Sequence, residues 1–199
     1  MSLSLTQKRT FKMENKQKHR CSWANTDDKL MQQYHDEQWG KPIYDDQEMF
    51  ELLSLELMQS GLSWKTVLHK QTNFEKAFHN FDYHQVAQME PEIADLLNNA
   101  GIIRNKRKIN AIITNAKVIE KFHEQGSSFS ELMWNFVAHK PIINSINNHN
   151  DIPSTTPLAT TISKKLKSIG FSFTGPVVVY SFMQSCGMVN DHENNCFAK

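Results

Sequence analysis

The chain has 199 residues, of which 39% are hydrophobic and 22% are charged, and its formal net charge is +1. This length predicts one domain or two small lobes, and the composition excludes a disordered chain because it can fill a sizeable core. No apolar run approaches membrane-spanning length and no signal-peptide core follows the N-terminus, so we expect no membrane partner. Three cysteines, an odd number, argue against a disulfide framework and favour a reducing, cytoplasmic compartment.

Residues 1–20 are polar and basic, with six Lys or Arg side chains opposed by Glu14 alone. We interpret this segment as a flexible, solvated leader. The change in character at Cys21 predicts that a single helical domain occupies residues 21–199.

Apolar residues at helical spacing predict an all-α protein without internal repeats. The first helix is expected at about 28–34, and Asp45 or Asp46 caps a second helix at 47–59. Further helices are expected at 64–78, 82–89, 92–99, 105–125, 129–137, 160–168 and 176–186. Residues 138–157 form a polar, proline-containing connection, and the apolar cluster at 177–180 favours helix over strand.

The second predicted helix places one carboxylate, Glu56, in a densely apolar face. Ser60 and Gly61 end this helix, because glycine adopts the conformation that a helix C-terminus requires. Leu62 and Trp64 follow at once, so these features lie within nine positions of one another. Such a corner is typical of a binding pocket. The alternative is a helix with one solvent-facing glutamate.

Two cysteines and two histidines lie at opposite ends of the predicted domain. Cys21 and His35 are near its start, and His192 and Cys196 are near its end. Two thiolates and two imidazoles are a ligand set of closed, tetrahedral structural zinc sites. The alternative is four unrelated residues, since a His-x-x-x-Cys spacing is common by chance. Cys186, in an apolar helix, is expected to be a core residue.

Gly170 and Gly175 flank a short connection between the last two predicted helices, a pattern typical of a helix–hairpin–helix. Such a turn exposes backbone N–H groups at a helix N-terminus, which suits a DNA phosphate. An ordinary helical hairpin is the alternative. The basic residues that favour a phosphate here are Lys164, Lys165 and Lys167.

A second basic cluster begins the helix predicted at 105–125. Positive charges at a helix start oppose the helix dipole, so an anionic partner explains them better than a solvated helix start. The cluster consists of Arg104, Lys106, Arg107 and Lys108.

Together these motifs resemble the 3-methyladenine DNA glycosylase I family, within the helix–hairpin–helix glycosylase superfamily. The resemblance covers about residues 20–196. The stretches that carry it are 20–23, 34–40, 55–64, 100–104, 170–173, 180–184 and 189–192.

The resemblance implies a two-lobed helical fold and a glycosylase that flips a damaged base out of the duplex. Glu56 and Tyr34 are then the catalytic residues and hydrogen-bond the base, while Trp64 stacks on it. The remaining base-binding positions are Trp23, Ser181 and Met31. The family has an aromatic residue at the last of these positions, so this wall of the pocket is softer here.

The resemblance also implies contacts with double-stranded alkylated DNA. Leu62 fills the gap left by the flipped base, with Gln59 and Gly61 beside it. The hairpin binds the DNA through Gly170, Phe171, Ser172, Phe173, Thr174 and Gly175. The implied reaction is hydrolysis of the N-glycosidic bond of 3-methyladenine, with the free base as product. No strand cleavage is expected, because no lysine stands out as a nucleophile.

One structural zinc ion is implied at Cys21, His35, His192 and Cys196, and the protein is expected to be a monomer. Asp191 is a candidate for the catalytic aspartate of the superfamily, or for a residue that orients its neighbour His192. The ionisation state of Glu56 is open, because burial raises a carboxyl pKa and a cationic base lowers it. The alternative from another functional class is a non-catalytic, zinc-stabilised helical module that binds DNA or a small planar ligand.

Overall fold

The structure is a computed structural model and describes residues 18–199. Most of the predicted leader, residues 1–17, lies outside the described residues. Its last residues contact the folded region: His19 O accepts a 2.9 Å hydrogen bond from Phe197 N, and the Arg20 guanidinium donates two 2.8 Å hydrogen bonds to Asp36. No helix in this part of the chain has both the length and the hydropathy needed to cross a membrane.

The described residues are predominantly α-helical, which confirms the predicted fold class. The helices are α1 (Lys29–Glu37), α2 (Asp46–Gln59), α3 (Trp64–Leu68), α4 (Gln71–Ala77), α5 (Tyr83–Val86), α6 (Ile93–Asn98), α7 (Lys106–Glu124), α8 (Phe129–Asn135), α9 (Pro157–Ser168) and α10 (Pro176–Ser185). Short 3₁₀ turns are present at Ser22–Ala24, His79–Phe81, Glu90–Glu92 and His149–Asp151. The division into two lobes stays a prediction.

One short β pairing was not predicted. Strands β1 (Ile142–Ile143) and β2 (Val189–Asn190) run in parallel, with Ile142 opposite Val189. This pairing joins the connection at 138–157 to the C-terminal segment. The connection is therefore partly ordered by backbone hydrogen bonds with a segment distant in sequence.

The single helix predicted at 64–78 is wrong, because α3 ends at Leu68 and α4 begins at Gln71. The break lies at Lys70, whose φ of −109° and ψ of 0° leave the helical region. Helical spacing did not reveal it, since the buried residues Val67 and Phe74 continue the apolar pattern on both sides.

Helix α2 lies at the centre of the fold and packs against α3, α7, α8 and α10. Its buried residues surround the axis instead of forming one stripe, as expected of an enclosed helix. They are Asp46, Met49, Phe50, Leu52, Leu53, Ser54, Leu55, Glu56, Leu57 and Met58. Each large apolar side chain buried in this way contributes about 1.5–3 kcal/mol.

The C-terminus of α2 is held by Lys108 of α7. Lys108 Nζ donates hydrogen bonds to Met58 O (2.8 Å) and Ser60 O (2.6 Å), which are carbonyls without helical partners. Gly61 follows with a φ of +80°, in the left-handed region that favours glycine. Lys108 is only 5% exposed, so this member of the predicted anion-binding cluster stabilises the fold.

Helices α9 and α10 pack against each other and form a helical hairpin, with α10 also against α2. The connection is fixed from α7, because the Asn115 side chain accepts a hydrogen bond from Ser172 N (2.7 Å) and donates one to Ser172 O (3.1 Å). Phe171 is buried and stacks on Phe129, with 5.2 Å between ring centroids, and Thr174 is also buried. Phe171 and Thr174 can therefore offer DNA only their main-chain groups.

Candidate active site and metal centre

A cavity of about 300 Å³ opens between α1, the C-terminal half of α2, the start of α3 and α10. A cavity of this size, with mainly aromatic and apolar walls and a few polar groups, is typical of a small-ligand site. The residues that line it are Trp23, Met31, Tyr34, Trp39, Glu56, Gln59, Trp64, His149, Ile152, Ser181 and Gln184. The structure thus brings together all six residues predicted to bind a base.

Two aromatic rings from different helices form one wall. Tyr34 of α1 and Trp64 of α3 lie with their ring centroids 4.8 Å apart. Trp23, in the 3₁₀ turn that precedes α1, lies 6.3 Å from Tyr34 and 5.1 Å from Trp39. Such a set of rings can hold a planar ligand by stacking.

Asp28 fixes α1 relative to α3. Its carboxylate caps α1 by accepting hydrogen bonds from Leu30 N and Met31 N, and it also binds His69 Nε2 (2.7 Å) and Lys65 Nζ (3.0 Å). The hydrogen bond from His69, followed by that from Lys65, holds the pKa of Asp28 well below its usual range. One N-cap residue therefore sets the separation of the two helices that carry the aromatic wall.

Glu56 lies in the cavity wall and is 4% exposed. Its Oε2 atom has no hydrogen-bond partner within residues 18–199. Burial raises the pKa of Glu56 to about 8, which favours a protonated carboxyl in the free protein at neutral pH. Burial, and then the charge of Glu56, raise the pKa of Tyr34 well above its ordinary value.

Two buried hydrogen-bond donors in the cavity wall also lack a partner. In the described part of the chain the indole nitrogens of Trp23 and Trp64 have no acceptor. Native proteins rarely leave buried polar groups unpaired. One unpaired carboxyl oxygen and two unpaired indole N–H groups around a single cavity indicate a site built for a polar, planar ligand.

Asp191 does not line the cavity. Its carboxylate is 1% exposed and accepts hydrogen bonds from Tyr180 OH (2.6 Å), Gln184 Nε2 (2.7 Å) and Asn144 Nδ2 (2.7 Å). These contacts give Asp191 a structural role, but the cavity residue that it orients is Gln184 and not its neighbour His192.

Sequence reasoning missed Gln184, His149 and Ile152 as cavity residues. Gln184 lies within one of the stretches that carry the family resemblance, and this was a usable signal. His149 and Ile152 lie in the connection at 138–157, where no periodicity or motif distinguished them. Trp39 was expected in the core and is buried, although it also lines the cavity.

A smaller cleft of about 180 Å³ adjoins the cavity and shares Glu56, Gln59 and Ser181 with it. Gly61 and Leu62 line this cleft, and Leu62 is 44% exposed. The three corner residues predicted to contact DNA therefore lie together at the mouth of the cavity. The hairpin residues 170–175 line neither cavity, and their contact with DNA stays a prediction.

Cys21, His35, His192 and Cys196 form one buried cluster, with all four ligand atoms within 4.8 Å of one another. His192 Nδ1 lies 3.3 Å from Cys21 Sγ and 3.5 Å from Cys196 Sγ, and His35 Nε2 lies 3.4 Å from Cys196 Sγ. Bonds of the usual length to a tetrahedral zinc ion place ligand atoms roughly 3.3–3.8 Å apart. The cluster could therefore hold a metal ion.

Each histidine of the cluster uses its other ring nitrogen for a protein acceptor, as metal-binding histidines do. His35 Nδ1 lies 2.9 Å from Asp36 Oδ1, and His192 Nε2 lies 3.0 Å from Trp39 O. Arg20 in turn orients Asp36 through two hydrogen bonds. Burial lowers the pKa of His192 to about 4, which keeps its imidazole neutral, the form that binds a metal.

The family model for methyladenine glycosylase matches residues 23–199. The chain is 42% identical over 181 residues to DNA-3-methyladenine glycosylase of Haemophilus influenzae, covering 90% of this chain and 97% of the relative. It is 43% identical over 178 residues to DNA-3-methyladenine glycosylase 1 of Escherichia coli, covering 89% of this chain and 95% of the relative.

Solved structures give the same result. A crystal structure of 3-methyladenine DNA glycosylase I matches with a TM-score of 0.87 and 44% identity, covering 90% of this chain and 98% of that one. A structure of 3-methyladenine recognition by the Staphylococcus aureus enzyme matches with a TM-score of 0.85 and 36% identity, covering 90% and 96%. The chain belongs to the methyladenine glycosylase family.

Proposed function

We propose that this protein is a monofunctional DNA glycosylase that hydrolyses the N-glycosidic bond of 3-methyladenine in alkylated double-stranded DNA. The observation that carries the proposal is the buried Glu56 carboxyl with an unpaired oxygen, facing an aromatic cavity in a member of this family. A non-catalytic helical module that binds DNA or a planar ligand is not favoured, because the relatives that match nearly the whole chain are named as glycosylases.

The target nucleotide has to leave the duplex before its glycosidic bond can be reached. Methylation at N3 makes the base cationic, so it is already a good leaving group. Water attacks the anomeric carbon and loses a proton to the solvent. The carbon–nitrogen bond breaks, its electron pair stays with the base, and the base leaves as neutral 3-methyladenine.

Glu56 supplies charge complementarity to this reaction. A cation in the cavity lowers the pKa of Glu56 from its value of about 8 in the free protein, so the carboxyl loses its proton when the base enters. The resulting carboxylate faces the positive charge from a buried position, where electrostatic stabilisation is strong.

The other cavity residues position the base. Tyr34 hydrogen-bonds it beside Glu56, and Trp64 stacks on it. Trp23 and Ser181 complete the contacts, and Met31 forms a flexible wall. The unpaired indole N–H of Trp23 supports this arrangement, because a purine offers an acceptor for it.

The protein meets the duplex at the corner that follows α2. Leu62 enters the gap left by the flipped base, with Gln59 and Gly61 against the backbone. The hairpin residues 170–175 approach a phosphate through main-chain N–H groups, since Phe171 and Thr174 are buried.

One zinc ion per chain is proposed at Cys21, His35, His192 and Cys196. These four residues would hold the ion as a cross-link between the two ends of the described chain, which is a structural role. We further propose that the protein acts as a monomer in the cytoplasm, and light scattering on the purified protein tests the monomer.

The function is tested by incubating the purified protein with methylated duplex DNA and separating the released bases. We expect free 3-methyladenine and abasic sites without strand breaks. A protein that binds the DNA and releases no base would instead be the non-catalytic module.

Leu62→Ala is expected to lower kcat/KM on methylated duplex DNA by about tenfold or more, because the extruded state costs a few kcal/mol to maintain. Its affinity for free 3-methyladenine should not change. Ile143→Ala is the control, since Ile143 is 67% exposed on β1 and lines neither cavity. Equal kcat/KM for Leu62→Ala and Ile143→Ala would contradict the role given to Leu62.

A further inference from the structure

Part of the cavity wall is formed by the connection at 138–157 and not by the helices that carry the predicted base-binding residues. His149 and Ile152 line the cavity from the connection at 138–157. His149 is largely exposed although it lines the cavity, so it lies at the mouth. The reaction proposed above assigns no role to this wall.

The turn that carries His149 has a defined structure. His149 begins the 3₁₀ turn His149–Asp151, and Asn148 caps it. The Asn148 side chain accepts a 2.9 Å hydrogen bond from Asn150 N, and Asp151 Oδ2 accepts a 3.1 Å hydrogen bond from Asn148 N. This reciprocal pair is a capping box, which holds the turn in one conformation.

The carboxylate of Glu193 hydrogen-bonds both to this turn and to Ser22. Glu193 is 5% exposed, and its Oε1 accepts hydrogen bonds from His149 N (3.0 Å), Ser22 N (3.0 Å) and Ser22 Oγ (2.6 Å). Ser22 immediately precedes Trp23, which lines the cavity as His149 does. One atom of Glu193 therefore sets the distance between the two segments.

The backbone beside Glu193 is anchored independently of its side chain. Glu193 N donates to Cys21 Sγ (3.2 Å), and Asn194 N donates to Ile146 O (2.7 Å). Removing the carboxylate consequently leaves the chain path in place and frees only the turn and Ser22.

From this geometry we infer that His149 is a specificity-determining residue that contacts the alkylated purine, and that Glu193 is a positioning residue that holds the turn carrying His149 against Ser22. This inference rests on the proposed function. Imidazole is one of the rings on which proteins stack extruded bases. At the mouth of the cavity, the imidazole of His149 is within reach of a base that enters.

The test measures binding of free 3-methyladenine to the full-length, metal-containing protein by quenching of tryptophan fluorescence. His149→Ala is expected to weaken binding roughly tenfold, within the range of one base–aromatic contact. Affinity for a duplex with an abasic-site analogue should not change, because no base enters the cavity. His84→Ala is the control, since His84 is an exposed histidine on α5 that does not line the cavity.

Variants of Glu193 distinguish a role in positioning His149 from a role in stabilising the fold. Glu193→Gln should bind the base as the wild-type protein does, because an amide oxygen accepts the same three hydrogen bonds. Glu193→Ala should lose about as much affinity as His149→Ala. The double substitution should be no weaker than either single one, since both remove the same contact.

The inference is overturned if His149→Ala binds the base as tightly as the wild-type protein. It is also overturned if the losses from His149→Ala and Glu193→Ala are additive, or if Glu193→Ala weakens binding only as far as it loses zinc or melts. A wild-type protein that neither binds nor releases the base would instead refute the proposed function, and this inference with it.

Discussion

Glu56→Gln is expected to release 3-methyladenine from alkylated duplex DNA roughly 10²–10³ times more slowly than the wild-type protein in single turnover. The substitution preserves the shape of the side chain and removes the negative charge that complements the cationic base. The effect is large because Glu56 is 4% exposed and water cannot replace the lost charge. The measurement is the rate of base release with the protein in excess over DNA.

Glu51→Gln is the matched control for this experiment. Glu51 lies on the same helix, and burial raises its pKa as well. It accepts a 2.9 Å hydrogen bond from Gln71 Nε2 and does not line the cavity. Base release at the wild-type rate by Glu56→Gln, or an equal loss in both variants, would contradict the role assigned to Glu56.

The same substitution should change how stability depends on pH. The pKa of Glu56 is about 8 in the folded protein against an ordinary value of 4.5, so folding favours the neutral carboxyl. Its contribution to stability is complete below pH 4.5 and is lost as the pH rises through about 8. Glutamine cannot ionise, so Glu56→Gln should melt at a higher temperature than the wild-type protein at pH 9.

The difference in melting temperature should shrink towards pH 5, because both proteins are then neutral at this position. Other titrating groups are common to the two proteins and cancel in the comparison. A difference of the same size at both pH values would show that Glu56 is not the group that titrates. A site that is less stable with its functional carboxylate is an expected cost of activity.

Removal of the proposed zinc ion is expected to lower the melting temperature by more than about 10 °C, since several kcal/mol of binding free energy would also be folding free energy. The cluster joins Cys21, before α1, to Cys196, near the end of the chain. His35 directly follows Tyr34, so loss of the metal should also weaken base binding. Thermal melts and metal analysis before and after chelation measure both effects.

Cys196→Ala should purify with little zinc, whereas Cys186→Ala should keep about one zinc per chain. Cys186 is the matched control, because it is equally a buried cysteine but lies outside the cluster, at the end of α10, where its thiol donates to Met183 O. Wild-type protein with well under one zinc per chain, or a melting temperature that chelation leaves unchanged, would refute the zinc site.

Local sequence was sufficient for the elements whose signals are contained in neighbouring residues. Asp45, one of the two carboxylates predicted to cap α2, and the left-handed Gly61 that ends this helix act within one turn of the chain. The two pairs of cysteine and histidine identified a possible metal cluster because ligand chemistry restricts which residues can form one. For the same reason, residue type alone, a carboxylate among aromatic side chains, indicated a pocket at Glu56.

Tertiary structure alone decided what each group does in its surroundings. Burial, which no local pattern specifies, raises the pKa of Glu56. Lys108 was predicted to bind an anion, but in the folded protein it donates a hydrogen bond to a carbonyl at the C-terminus of α2. Asp191 is held outside the cavity by Asn144, 47 residues away, together with Tyr180 and Gln184. Glu193, 44 residues away, fixes the turn that carries His149 at the mouth of the cavity. Residue type and spacing determine which chemistry is possible, whereas long-range packing determines which groups are desolvated, paired or free.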